Sequence, residues 1–118
     1  MAKILIVDDH ADLREVVVQL LESHGHTVQC CLSSEAALAT LAAEVPDVVI
    51  IDQRLPGMNG LELVKAIRTD SRATSLRLIV YSADDSVSER ARAAGADAFW
   101  LKGSDQLFDS VDTLGRSL

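Results

Sequence analysis

The chain has 118 residues and a mass of 12.7 kDa, of which 48% are hydrophobic and 25% charged. That length suits one compact, soluble domain over residues 1–118. No apolar run approaches the roughly 18 residues that a membrane-spanning helix needs, and the first apolar run is too short for the core of a signal peptide. We therefore expect a cytoplasmic location and no membrane partner. The formal net charge of −7 disfavours direct binding to nucleic acid, because a phosphate backbone attracts a basic surface.

Short apolar runs alternate with helical periodicities along the chain. The runs predict five strands, at Lys3 to Val7, Thr27 to Leu32, Val48 to Ile51, Leu76 to Tyr81 and Asp97 to Leu101. Each strand is followed by a predicted helix. The third helix begins at a capping box of Asn59 and Glu62, and the fourth at a capping box of Ser86 and Glu89. The fifth helix carries Leu107, Val111 and Leu114 on one face. This alternation predicts an α/β fold, a doubly wound five-stranded parallel sheet with helices on both faces.

Polar residues stand at the C-terminal ends of four of these strands. Asp8 and Asp9 follow the first strand, Asp52 the third, Ser82 the fourth and Lys102 the fifth. Because the carboxyl ends of parallel strands meet along one edge of the sheet, we expect these side chains to share one crevice. Acids at strand ends can also cap helices or line a solvated rim. For any single one of these residues, such a structural role is a better interpretation than a functional site. The coincidence of five complementary side chains favours a shared site.

Three carboxylates in one crevice need either a proton or a bound cation. Oxygen ligands with room for water and for a phosphoryl oxygen match Mg²⁺ better than a transition metal. With the metal, Lys102 would form an electrophilic clamp for a transferring phosphoryl group, Asp52 would be the nucleophile and Ser82 would hydrogen-bond the new phosphate. His10 is expected to be an ordinary polar residue of a first helical turn and no ligand, since no second imidazole is placed near it.

Four motifs around this crevice resemble the receiver domain of two-component response regulators. They are IVDD at Ile6 to Asp9, DQRLPGMNG at Asp52 to Gly60, YSA at Tyr81 to Ala83, and GADAFWLK at Gly95 to Lys102. The resemblance covers the whole chain and implies the flavodoxin-like (βα)5 receiver fold.

The resemblance also implies roles for individual residues. Asp52 is the phosphoacceptor, and Mg²⁺ is held by Asp8, Asp9, Asp52 and the backbone carbonyl of Arg54. Lys102 pairs with the phosphoryl group. The sequence departs from the family pattern after this lysine, where receivers commonly have proline and this chain has Gly103.

Two more pairs of residues have expected roles. Ser82 and Phe99 are implied to form the switch, in which Phe99 swings inward as the hydroxyl of Ser82 moves toward the phosphate. We further hypothesise that Arg54 and Asp84 tune the lifetime of the acyl phosphate by forming an ion pair across the path of the attacking water; two solvated charges are the plainer interpretation.

The expected function is a phosphoacceptor signalling switch. A histidine kinase or histidine phosphotransfer protein donates a phosphoryl group to Asp52, and the changed conformation regulates a downstream protein target or output domain. The domain is then no enzyme on an external substrate, since it catalyses only its own phosphorylation and dephosphorylation. A phosphorylation-dependent homodimer through the face of the fourth helix, fifth strand and fifth helix is a further expectation.

Other functions compete with this one. The chain could be a receiver-fold docking module that acts without phosphorylation, or the N-terminal receiver of a longer DNA-binding regulator. An aspartyl-phosphate phosphatase is disfavoured because Arg54 stands where such enzymes have a second acid. A flavodoxin-like cofactor binder is disfavoured because Asp8, Asp9 and His10 occupy the loop that would have to accept its phosphate.

Overall fold

The computed structural model describes residues 1–118, apart from the side chain of Asp12. Its strands are β1 (Lys3–Val7), β2 (Thr27–Cys31), β3 (Val48–Asp52), β4 (Arg77–Ser82) and β5 (Ala98–Leu101). Its helices are α1 (Ala11–Ser23), α2 (Ser34–Ala43), α3 (Gly60–Arg68), α4 (Val87–Ala94) and α5 (Leu107–Ser117), with a short 3₁₀ turn at Ser71–Ala73. The predicted alternation of five strands and five helices is confirmed. Among these helices none is long and apolar enough to cross a membrane.

All five strands run parallel in a single sheet of order β2-β1-β3-β4-β5. The chain moves outward from β1 to β2 and then returns past β1 to build the rest of the sheet on the other side. Because the direction reverses between β1 and β3, the connections after these strands leave to opposite faces and open a crevice between their carboxyl ends. Asp8 directly follows β1 and Asp52 ends β3, so the reversal brings both acids to this crevice.

Helices cover both faces of the sheet. On one face α1 and α5 contribute Val17, Leu21, Leu107, Val111 and Leu114 to a cluster with inward residues of the strands. On the other face α2, α3 and α4 contribute Ala37, Leu41, Leu63, Val64, Ile67, Val87 and Ala91. Every residue of β3 is buried, and each large aliphatic side chain so placed contributes about 1.5–3 kcal/mol. The strand that ends in Asp52 is therefore held rigidly from both faces.

The starts of α3 and α4 test the two capping-box predictions. At α3 the side chain of Asn59 accepts a hydrogen bond from the Glu62 N–H at 2.9 Å, and the Glu62 carboxylate accepts one from the Asn59 N–H at 3.1 Å, which confirms the prediction. At α4 the prediction is wrong. The side chain of Ser86 makes no capping bond and its backbone is already helical, while the N–H of Ser86 donates to Asp84 Oδ1 at 2.9 Å. Asp84 therefore accepts the hydrogen bond from the Ser86 N–H that the predicted capping box assigned to Glu89.

Two histidines join the end of α1 and the start of β2 to α5. His26 is buried; its Nδ1 accepts a hydrogen bond from the Ala2 N–H at 3.0 Å, and its Nε2 donates to the Gly115 carbonyl at 2.6 Å. The Nε2 atom of His24 lies 2.7 Å from Asp112 Oδ1. The approach of α5 is close enough that a Cβ atom at Gly115 would lie 2.5 Å from Cδ2 of His24.

Candidate functional site

The structure brings the five predicted strand-end residues to one edge of the sheet. Asp8, Asp52 and Ser82 are buried, whereas Asp9 is exposed and the Lys102 side chain keeps 17% of its accessible surface. Ser82 and Asp9 line an open pocket of about 610 Å³ beside the sheet edge. A water molecule occupies about 30 Å³ of the liquid, so the pocket has room for a phosphoryl group and its solvent.

Asp52 is tightly held at the end of β3. Its Oδ1 lies 2.9 Å from Nζ of Lys102 and accepts a hydrogen bond from the Arg54 N–H at 3.3 Å. Burial raises the pKa of Asp52, against the opposing effect of the Lys102 ammonium. The start of α3 packs directly on this strand end, where a Cβ atom at Gly60 would lie only 2.7 Å from the Asp52 carbonyl oxygen. A glycine is therefore needed at the position where the loop returns to β3.

Lys102 reaches Asp52 without the proline that commonly follows this lysine. Its N–H donates to the Ser82 carbonyl at 2.8 Å, and Nζ lies 4.5 Å from the centre of the Tyr81 ring. Gly103 has a φ of +76°, a value that proline cannot adopt, so this loop takes a path of its own. The ring of Tyr81 and the carboxylate of Asp52 together direct the ammonium group into the site.

Asp8 is fully buried, and its carboxylate accepts hydrogen bonds from two residues. The hydroxyl of Tyr81 donates to Oδ2, and the N–H of His10 donates to Oδ1 at 2.8 Å. Burial, followed by the neighbouring Asp8 carboxylate, raises the pKa of Tyr81, which keeps its hydroxyl protonated as a donor. Arg14 donates to the Asp8 carbonyl at 2.9 Å. Sequence reasoning missed the role of Tyr81, although it lies in the YSA motif directly before Ser82.

His10 corrects the expectation that it is an ordinary polar residue outside the site. Its Nδ1 lies 3.1 Å from Asp52 Oδ2, 3.1 Å from Asp9 Oδ1 and 3.2 Å from Asp8 Oδ1. His10 is the N-cap residue of α1, yet its side chain makes no capping bond and turns back toward the acids. The hydrogen bond to Asp8 is the largest cause that raises the pKa of His10. The only signal in the sequence was its position directly after the acidic pair.

Asp8, Asp9, His10 and Asp52 form a group that could hold a metal ion. Each offers one ligand atom, and these atoms all lie within 4.8 Å of one another. Three of the four donors are carboxylate oxygens, the ligands that hard divalent cations such as Mg²⁺ prefer. The donor set therefore fits a divalent cation, whose charge would offset the repulsion among the acids.

Arg54 and Asp84 line the pocket, but the hypothesised ion pair between them is not formed among the side chains that the structure describes. Asp84 instead accepts the hydrogen bond from the N–H of Ser86, and hydrogen bonding by the Ser86 side chain, followed by this N–H, lowers the pKa of Asp84. Arg54 is exposed to solvent. The two residues flank the site as separate charges.

The two predicted switch residues lie on neighbouring strands. The Oγ atom of Ser82 accepts a hydrogen bond from the Asp84 N–H at 3.1 Å. Phe99, on β5, is partly buried against the cluster under α2, α3 and α4 and borders a second pocket of about 270 Å³ that Ser88 of α4 and Leu107 of α5 also line. Ser82 and Phe99 thus lie on the side of the molecule that α4 and α5 frame.

This fold and site define a flavodoxin-like α/β domain with an acidic, metal-competent site and a lysine at the carboxyl edge of its sheet. The family model described as the response regulator receiver domain matches residues 4–111. The chain belongs to this family, and the predicted family and fold are confirmed.

Relatives of known name agree with this assignment. The sensory/regulatory protein RpfC of Xanthomonas campestris pv. campestris is 42% identical over 123 residues, which cover 98% of this chain and 17% of RpfC. Response regulator MprA of Mycolicibacterium vanbaalenii is 36% identical over 102 residues, which cover 85% of this chain and 43% of MprA. The solved structure of the chemotaxis response regulator CheY4 of Vibrio cholerae matches with a TM-score of 0.88 at 30% identity, over 100% of this chain and 99% of that one. The chain spans less than half the length of either curated relative.

Proposed function

We propose that residues 1–118 form one receiver domain that works as a Mg²⁺-dependent phosphoacceptor switch with Asp52 as the acceptor. The observation that carries the proposal is the buried carboxylate of Asp52, held 2.9 Å from the Lys102 ammonium. A buried acid that lies close to further acids is costly for folding, because each charge loses water and repels its neighbours. Such a group is more readily explained by chemistry than by stability.

In the proposed reaction an oxygen of Asp52 attacks the phosphorus of a phosphohistidine on the partner protein. The new O–P bond forms as the P–N bond breaks, and the partner's imidazole is the leaving group. Asp8, Asp9, Asp52 and the backbone carbonyl of Arg54 would hold Mg²⁺, which would supply positive charge to the phosphoryl oxygens. Lys102, already directed at the Asp52 carboxylate, neutralises the acyl phosphate that results.

The switch in this proposal starts at Ser82. Its hydroxyl donates to the new phosphoryl group, and Phe99 then moves inward beside it. Because Phe99 borders the pocket between α4 and α5, its movement changes the surface of α4, β5 and α5. This surface is the proposed contact for a downstream target, an output domain or a second copy of the phosphorylated chain.

Arg54 and Asp84 are proposed to set the lifetime of the acyl phosphate. Both line the open pocket beside the sheet edge, and in this proposal the attacking water reaches Asp52 through that pocket. An Arg54→Ala variant should lose its phosphoryl group at a changed rate, followed by intact mass after the donor is removed. An unchanged rate would assign Arg54 to the solvated surface.

The proposed partners are a histidine kinase or histidine phosphotransfer protein on one side and a protein target on the other, in the cytoplasm. The names of the relatives support a two-component pathway, since one is a sensory/regulatory protein and another a response regulator. The net charge of −7 argues against direct contact of this domain with nucleic acid. No external substrate is required.

The proposal is tested by measuring intact mass after incubation with a small acyl-phosphate donor, with Mg²⁺ and with a chelator. We expect the wild-type chain to gain one phosphoryl group only when Mg²⁺ is present, and Asp52→Asn to gain none. A gain in Asp52→Asn would overturn the assignment of the acceptor. If neither protein gains mass while Trp100 fluorescence still reports Mg²⁺ binding, the Lys102 loop is impaired or the receiver depends strictly on its kinase. If there is neither a gain in mass nor a response to Mg²⁺, the alternative of a docking module that acts without phosphorylation is favoured.

A further inference from the structure

We infer that His10 is a ligand of the metal site and shifts its preference from Mg²⁺ toward divalent transition ions such as Ni²⁺. The inference rests on the metal site of the proposed function. It assigns to that site a preference among metal ions that the three acids alone would not produce. It concerns which ion the domain binds, and its test needs no phosphoryl donor.

The distances from His10 to the acids carry the inference. Its Nδ1 lies 3.1–3.2 Å from one carboxylate oxygen of each of Asp8, Asp9 and Asp52. Metal bonds of about 2.1 Å at right angles place neighbouring ligand atoms about 3 Å apart. The ring nitrogen therefore already lies at the spacing of an adjacent ligand from each of the three oxygens, and the four ligand atoms all lie within 4.8 Å of one another.

The surroundings of His10 indicate that its ring is directed by the site and by little else. The side chain is 58% exposed, so packing does not impose its orientation. It also makes no bond to the helix that it precedes, which is the usual task of an N-cap residue. Among the residues that the structure describes, the His10 ring forms hydrogen bonds with the carboxylates of Asp8 and Asp52.

A nitrogen ligand changes what the site prefers. Carboxylate oxygens alone suit Mg²⁺, which loses its water reluctantly, whereas imidazole nitrogen binds more strongly to ions later in the first transition row. The affinity of a mixed nitrogen and oxygen site rises from Mn²⁺ toward Ni²⁺. His10 should contribute to Ni²⁺ affinity and contribute nothing to Mg²⁺ affinity.

The test compares Mg²⁺ and Ni²⁺ affinities of the unphosphorylated chain by calorimetry and Trp100 fluorescence. We expect His10→Ala to weaken Ni²⁺ binding by about tenfold or more, the scale of losing a partner at a metal site, and to leave Mg²⁺ binding equal or stronger. His24→Ala is the matched control, because it removes an imidazole that pairs with Asp112 at the opposite end of α1. It should leave both affinities unchanged.

A spectroscopic measurement separates a ligand from a neighbour. In the Mn²⁺-loaded chain the electron spin echo should be modulated by a bound nitrogen, and this modulation should be absent from His10→Ala. Equal losses of Mg²⁺ and Ni²⁺ affinity, or a nitrogen signal that persists in the variant, would overturn the inference.

The inference and the proposed function can fail separately. Normal Mg²⁺-dependent phosphorylation of the wild-type chain with no change of metal preference in His10→Ala overturns the inference alone. A wild-type chain that binds neither ion overturns the inference together with the metal site of the proposed function.

Discussion

At the scale of single residues, Lys102 is the cation that faces the buried Asp52. Lys102→Met should lower the free energy of unfolding by about 1–3 kcal/mol, because it leaves a buried carboxylate without its partner while water still reaches this rim. Urea titration measures the loss. In a double-mutant cycle with Asp52→Asn, the losses in free energy of unfolding of the two single variants should sum to more than the loss in the double variant. Strict additivity would show that the 2.9 Å contact contributes nothing to stability.

The hydroxyl of Tyr81 offers a second test at this scale. Tyr81→Phe removes the donor to the buried Asp8 carboxylate and should cost about 1.5–3 kcal/mol, the range for a hydrogen bond to a charged group. The phenyl ring still lies under Lys102. Tyr81→Leu should cost more, since it also removes the ring from the core. Equal stability of wild type and Tyr81→Phe, measured by urea unfolding, would contradict this account.

The residues of the site were predictable only in part. Asp8, Asp52, Ser82 and Lys102 could be found because each ends or follows a buried apolar run, and parallel strands share one edge. His10 could not be placed in this way, because its direction depends on how the loop after β1 turns back on itself. The hypothesised pair of Arg54 and Asp84 failed for a similar reason, since spacing in sequence does not determine how exposed side chains point.

At the scale of elements, the starts of α3 and α4 form a natural pair for comparison. Asn59→Ala should destabilise the protein by about 1 kcal/mol, because its side chain satisfies a free N–H of the first turn. Ser86→Ala should change stability little, since the Ser86 side chain makes no capping bond. Thermal unfolding of both variants measures the difference. A larger loss in Ser86→Ala than in Asn59→Ala would show that the observed caps do not stabilise these helices.

The contact between α5 and the end of α1 makes a separate prediction. Gly115→Ala should be destabilising, because overpacking of about 1–3 kcal/mol against the His24 ring exceeds the gain of about 1 kcal/mol from helix propensity. In a His24→Ala background the same substitution should be neutral or stabilising, since the clash is gone. The cycle is measured by chemical denaturation. A loss of equal size in both backgrounds would assign the need for glycine to the backbone of α5.

Elements were easier to predict than their ends. The strands β1, β3 and β4 are buried on both faces along almost their whole length, so they appear in the sequence as runs of β-branched and aliphatic residues that few other structures produce. The capping box at Asn59 follows the same local logic. At Ser86 the pattern was present, but Asp84 competed successfully for the same N–H. Helix ends are decided by such small differences, which a short motif does not resolve.

At the scale of the whole molecule, the strand order creates the site. The alternation of elements predicted a parallel sheet, but the order β2-β1-β3-β4-β5 is a property of contacts between distant segments that no local pattern records. The periodicity of apolar residues predicted only the α/β fold class, whereas the resemblance to receiver domains implied this particular fold. The reversal between β1 and β3 then places Asp8 and Asp52, far apart in sequence, at the same crevice.

Because the ligands come from separate strands, metal binding should stabilise the entire fold. The unfolded chain cannot hold these acids together, so Mg²⁺ binds the native state alone and should raise the free energy of unfolding by about 2.7 kcal/mol at a hundred times its dissociation constant. Thermal unfolding in Mg²⁺ and in chelator measures the increase. Asp8→Asn should lose most of it, whereas Asp109→Asn, which removes an exposed acid of α5, should retain it. If Asp8→Asn keeps the full increase, Mg²⁺ binds elsewhere on this acidic surface, and the crevice between β1 and β3 does not hold the ion.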